Sequence, residues 1–339
     1  MRAVGLLCCA LLVAGCATKR DETLLTGETM GSTWTVTIAG PVPGSVAELR
    51  AGVQQRFDAV VAQMSTYETE SDLSRFNRNA TADWQTLQPE LFAVMSYALN
   101  LASLSEGAYD VTVGPLVNLW GFGPDPERVT PPAAEDIAAA KARVGWQRVE
   151  LDAAGLRARR PPGTYVDLSS LAKGYGVDEV ARYLDAAGVS GSLVDLSGKL
   201  RARGLNAHGQ AWRVAVEEPR PDDPNGAARV SAQVIALNAG AVATAGTYRQ
   251  HFRFEGQDYS HLNDPRTGWP IQRATASVTV RADDCLTADA WATALLLLPV
   301  EDALRLANSQ GIAALFIARD ATGSETRSAA YRRLAEMER

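Results

Sequence analysis

Asp289 and Thr293 stand four positions apart in a strongly apolar stretch, 287–298, whose composition predicts a helix. On such a helix both side-chain oxygens lie on one face, within reach of a single ion. A carboxylate and a hydroxyl are hard oxygen donors, suited to Mg2+ rather than Zn2+. Backbone carbonyls, water or a substrate phosphate would complete the shell. The pair has a second reading, in which Asp289 stabilises the dipole of a helix start that Thr287 caps. Spacing alone leaves both open. A zinc site is excluded, because Cys285 is solitary and His208, His251 and His261 show no ligand spacing.

Five segments are richer in Gly, Ser, Thr, Asp and Tyr than packing requires. They are Met30-Gly31-Ser32-Thr33, Met64-Ser65-Thr66-Tyr67, the stretch 107–116 (GAYDVTVGPL), the stretch 167–175 (DLSSLAKGY) and the stretch 261–268 (HLNDPRTG). Small residues let a backbone approach a ligand closely, and hydroxyls with amides bind phosphate without a cationic run. None of the five matches a P-loop or the dinucleotide fingerprint.

The elements that must position these segments follow from periodicity. Residues 33–38 alternate polar and apolar as a half-buried strand does. Ser45 and Glu48 form a capping box before a helix with apolar residues at Val46, Leu49, Val53, Phe57, Val60 and Met64. Further helices are predicted over 89–104, 133–144, 174–187 and 300–310, the last two stopped by Gly188 and Gly311. A Pro-rich connection covers 125–132. Strand-like runs cover 192–196, 212–217, 230–237, 241–245, 252–254, 276–280 and 312–318, with a hairpin turn at Glu255-Gly256-Gln257. Strands and helices do not strictly alternate, which indicates an α+β fold with largely antiparallel sheets. The expected arrangement is two intertwined lobes with the site in the cleft between them.

The chain has 339 residues, 46% hydrophobic and 21% charged, a composition that excludes a disordered, collagenous or coiled-coil protein. Its length exceeds what one core usually serves, hence the expectation of two lobes. A net charge of −6 without a Lys/Arg run lacks the footprint of a nucleic-acid binder. Arg2 followed by an apolar run over 3–14 has the form of an export signal and is shorter than the ~20 residues that span a bilayer. Leu12-Val13-Ala14-Gly15-Cys16 resembles a bacterial lipobox, which implies a signal peptide over 1–15, lipidation of Cys16 and a polar tether over 16–28 before a domain over 29–339. Cys8 and Cys9 leave with that signal, so Cys285 has no disulfide partner in an oxidising compartment and reads as a packing residue.

The five segments together with ADAWAT at 288–293 resemble the FAD:protein FMN transferase family, the ApbE-type flavin transferases, in order and spacing from about Met30 to about Pro299. The resemblance implies a periplasmic, often lipid-anchored enzyme that binds FAD with Mg2+. Such an enzyme moves the FMN half to a threonine hydroxyl of a target flavoprotein, typically a membrane subunit of a respiratory complex, and releases AMP. It implies metal ligation by Asp289, Thr293 and the carbonyl of Ala172. It also implies FAD contacts from Met30, Tyr67, Ala108, Tyr109, Asp110, Ser169, Tyr175 and Leu262. His261 then becomes the candidate base for the threonine proton, since imidazole titrates near ~6.5; its other reading is to orient the loop or the phosphate. Asp178 either supports the site or is a solvated helix carboxylate, Lys173 either touches phosphate or lies at the surface, and Tyr67 either stacks on adenine or isoalloxazine or fills core. The same site would serve a pyrophosphatase in which water replaces threonine, and a flavin-storage lipoprotein is the third possibility.

Two segments depart from the family pattern. Leu196-Ser197-Gly198-Lys199 stands where relatives commonly carry Gly-Gly before an acidic or amide residue, and Thr244-Ala245-Gly246 where Thr-Ser-Gly is usual. The first brings a basic side chain toward the floor of the cleft.

Overall fold

Eight strands follow one another across the main sheet in chain order, each antiparallel to the next. They are β1 (Glu22–Thr29), β2 (Ser32–Ala39), β3 (Ser192–Leu196), β4 (Lys199–Arg203), β5 (Ala239–Gly246), β6 (Thr275–Ala282), β7 (Ala313–Ala318) and β8 (Glu325–Arg327). The computed structural model describes residues 21–124, 128–218, 230–248, 250–319 and 323–337. The expected leader, Cys16, the first residues of the expected tether and part of the 125–132 connection lie outside them.

The α+β expectation with antiparallel sheets holds. The sheet is a meander whose connections grow into the rest of the molecule. Between β2 and β3 the chain leaves for helices α1 (Val46–Met64), α2 (Pro89–Leu104) and α3 (Ser169–Ala186), with a small three-stranded sheet among them. A hairpin at 251–260 lies between β5 and β6, and helix α4 (Cys285–Leu297) lies between β6 and β7. Ser45 and Glu48 form the predicted capping box of α1, and α2 begins and ends where its pattern does.

Burial explains the layering. Along β7, Ala314 and Phe316 enter the large core under α1–α4, while Ala313, Leu315 and Ile317 enter a second core on the opposite face with Trp212, Val214 and Tyr331. Period-two alternation thus feeds both faces from one strand. α4 is buried on nearly every side, wedged between α3 and the sheet, so its leucines each contribute on the order of 2 kcal/mol of apolar burial.

Three expectations need correction. The stretch read as a tether already carries β1, whose Leu25 is buried opposite Val36, because ETLLTGET alternates and finds a partner in β2. The helix expected over 174–187 begins at Ser169, where the Asp167 carboxylate accepts the Ser169 amide, so Gly174 and Gly176 lie inside it. Thr287 is not the cap of α4. Asp284 caps it, accepting from the Thr287 amide at 2.7 Å.

Candidate active site

The turns and strand ends that carry the motifs gather at one end of the sheet. Met30 and Gly31 form the two-residue β1–β2 turn with positive φ of 48° and 67°, and Ser197 and Gly198 form the β3–β4 turn with 55° and 81°. Trp34 pairs with Leu196, Leu196 with Lys199 and Lys199 with Ala243, which brings both turns beside the far end of β5.

Helices α3 and α4 meet at Gly174. A Cβ there would stand 2.4 Å from the Cys285 carbonyl oxygen and 2.8 Å from Asp289 Cβ, so only glycine permits the approach. The Gly174 amide donates to Asp289 Oδ2 at 3.1 Å. Asp289 is 2% exposed and Thr293, one turn on, is 8% exposed, with no hydrogen bond from its hydroxyl among the described residues. Ala172 lies two residues before Gly174 on the same helix.

Asp178 is buried and not solvated. It accepts the amides of Cys285 and Leu286, both at 2.9 Å, and pairs with Arg201. With Asp284 taking the Thr287 amide, the amides of Cys285, Leu286 and Thr287, which have no partner within the helix, are all satisfied at the start of α4. Burial raises the Asp178 carboxyl from its ordinary value, while the two amides and Arg201 pull it back. Cys285 is fully buried at this contact, as a packing residue, with burial raising its thiol well above the usual range.

Sequence reasoning missed a ladder on β4. Lys199, Arg201 and Arg203 alternate along the face toward the helices and meet Asp289, Asp178 and Asp185 respectively. The signal was the period-two KLRAR pattern, which no strand had been assigned to.

The segment 107–116 is tied to α3. Tyr109 is buried with its hydroxyl 2.8 Å from Ser170 Oγ, and the Asp167 amide donates to the Val111 carbonyl at 2.7 Å. Burial holds the Tyr109 phenol far above its usual range. Asp110 turns both oxygens inward. Oδ1 accepts from the Thr112 amide and hydroxyl and Oδ2 from the Trp146 amide, while burial raises its carboxyl. Ala108 is enclosed beside them. Ser169 donates to Asp167, and the Met30 side chain reaches over α3 to Gly176.

Tyr67 is 61% exposed, not core, and its hydroxyl donates to the Phe122 carbonyl at 3.3 Å. The Phe122 ring meets His261 edge-on, 6.3 Å between centroids. His261 Nδ1 lies 3.1 Å from the Gln250 carbonyl, which can only accept, so Nδ1 carries the proton and Nε2 presents a lone pair. Burial first, then the charges of Lys199 and Lys173, push His261 down to about 4, so the ring is neutral at pH 7. Leu262 packs on the large core, and the Asp264 carboxylate is held by Arg266 and Arg273 in the turn that follows. Tyr175 lies beneath the Arg182 guanidinium, and burial, with the neighbouring Glu179 charge, raises its phenol above the usual range.

These features define an α+β enzyme with a buried acid–hydroxyl pair, two lysines and a neutral imidazole. The ApbE family profile matches residues 30–316, and the chain belongs to that family. It is 37% identical to a FAD:protein FMN transferase from Klebsiella pneumoniae over 95% of this chain and 93% of the relative. The flavin transferase ApbE from Vibrio cholerae superposes with a TM-score of 0.85 at 37% identity, covering 92% of this chain and 99% of that one. The apo flavinyl transferase ApbE from Pseudomonas stutzeri gives 0.82 at 37% identity, covering 93% and 96%. The chain is accordingly a transferase.

Proposed function

We propose that this transferase takes FAD and moves its FMN half to a threonine hydroxyl of an acceptor flavoprotein, forming a phosphodiester and releasing AMP. The observation that carries the reading is the placement of Asp289 and Thr293 at the α3–α4 contact, beside Lys199. A carboxylate, a hydroxyl and the Ala172 carbonyl form a hard-oxygen set that fits Mg2+. Among the described residues no group of three His, Cys, Asp or Glu side chains offers an alternative metal centre. When bound, the ion neutralises diphosphate charge.

The chain's own residues do the rest. Met30 and Tyr67 border the flavin, and the Asp167–Ser170 segment and Tyr109 line the diphosphate. Lys173 and Lys199 supply positive charge to it, consistent with their joint effect on His261. His261 Nε2 accepts the threonine proton as the oxygen attacks the FMN phosphorus and the bond to the AMP oxygen breaks. We assign the leader to export and Cys16 to lipid anchorage on the periplasmic side of a bacterial membrane, where a respiratory-complex subunit would present its threonine. No described helix is long and apolar enough to cross a membrane.

The test is incubation of the chain with FAD, Mg2+ and a candidate acceptor domain. A fluorescent acceptor heavier by one FMN on threonine is expected. Free FMN accumulating with the acceptor unmodified would assign hydrolysis instead.

A further inference from the structure

Lys199 opens β4, and its ammonium is fixed at two points. It lies 3.0 Å from Asp289 Oδ1 and donates to the Thr244 carbonyl at 2.8 Å, with 13% of the lysine side chain and 3% of the aspartate exposed. Oδ2 of the same carboxylate is already held by the Gly174 amide. The oxygen left for a cation therefore faces a tethered positive charge. The strand places it there by register, since Lys199 pairs with Ala243 next to Thr244. The other two rungs of the ladder, Arg201–Asp178 and Arg203–Asp185, involve no hydroxyl partner, whereas Thr293 stands one helical turn from the Lys199 rung.

We propose that the Lys199 ammonium is a built-in competitor for the divalent-cation position on Asp289. The chain then binds metal weakly until Lys199 is displaced, and the negative diphosphate of FAD, by attracting the released ammonium, makes metal and FAD bind cooperatively. This rests on the reading of Asp289 as a metal ligand. Two like charges at one carboxylate oxygen oppose each other strongly in a buried site.

The test is a titration of the flavin-free full chain with Mn2+, following free Mn2+ by electron paramagnetic resonance. Wild type is compared with Lys199→Gln, which retains a donor for Thr244, with Lys199→Ala, and with Asp289→Asn. Both Lys199 variants are expected to bind Mn2+ about tenfold tighter than wild type or more, and Asp289→Asn to lose binding. FAD is expected to tighten Mn2+ binding to wild type more than to the Lys199 variants. Added Mg2+ should raise the melting temperature of the variants more than that of wild type. Folded Lys199 variants that bind Mn2+ no tighter than wild type would overturn the proposal. If wild type then still transfers FMN in a metal-dependent way, the functional reading survives and only the competition fails. If no form binds Mn2+ and none transfers, both fall.

Discussion

The Gly174 amide meets Asp289 Oδ2 at 3.1 Å across the contact of α3 and α4, and this bond, with Lys199 on Oδ1, orients the carboxylate on which the proposed chemistry depends. Substitution by alanine would drive a methyl into the Cys285 carbonyl and Asp289 Cβ. Gly174→Ala should lose about 1–3 kcal/mol in urea unfolding, as overpacked interiors do. Transfer should fall far more than stability, because α4 must shift.

Asp178 acts at one remove, by anchoring the start of α4. Asp178→Ala leaves Arg201 and two amides without their partner and should cost about 3–5 kcal/mol, the range for breaking a buried ion pair. Asp178→Asn keeps one acceptor and should cost less. Urea midpoints for the two variants check the order, and equal losses would count against the capping role.

His261 gives a pH dependence whose sign is fixed. Its folded value is about 4, below the ordinary 6.5, so the unfolded chain binds the extra proton between them. The stabilising contribution is complete above about 6.5 and is lost as pH falls toward 4. Melting temperatures of wild type should therefore drop more between pH 7 and pH 4.5 than those of His261→Asn. The variant should also lose transfer by about 100-fold or more if it removes the base. Parallel melting curves would contradict the lowered value of the ring.

Tyr67 separates binding from folding. An aromatic side chain 61% exposed carries little stability, so Tyr67→Ala should unfold within about 0.5 kcal/mol of wild type. If the ring borders the flavin, KM for FAD should rise about tenfold, the size of one stacking contact. An unchanged KM would remove Tyr67 from the binding surface.

Much of the fold was legible because period carries it. The capping box at Ser45, the apolar spacing of α1, and β3 at 192–196 follow from local residues. The start of α3 was hidden, since a glycine at 174 looks like a helix boundary until α4 is seen to need the space there. β1 was hidden because polar residues on its exposed face resemble a tether. The pairing of Asp289 and Thr293 could be proposed from spacing, but the roles of Asp178 and Lys199 depend on contacts between distant segments. Asp110 looks like a ligand contact in sequence, and only the fold shows Thr112 and Trp146 holding both its oxygens.

Intact-mass analysis of an acceptor domain, incubated with the chain, FAD and Mg2+, addresses the proposed chemistry most directly. Addition of one FMN to a threonine by wild type, with none added by Asp289→Ala, is the expected result. An acceptor labelled equally by both proteins would show that the carboxylate beside Lys199 takes no part in the transfer.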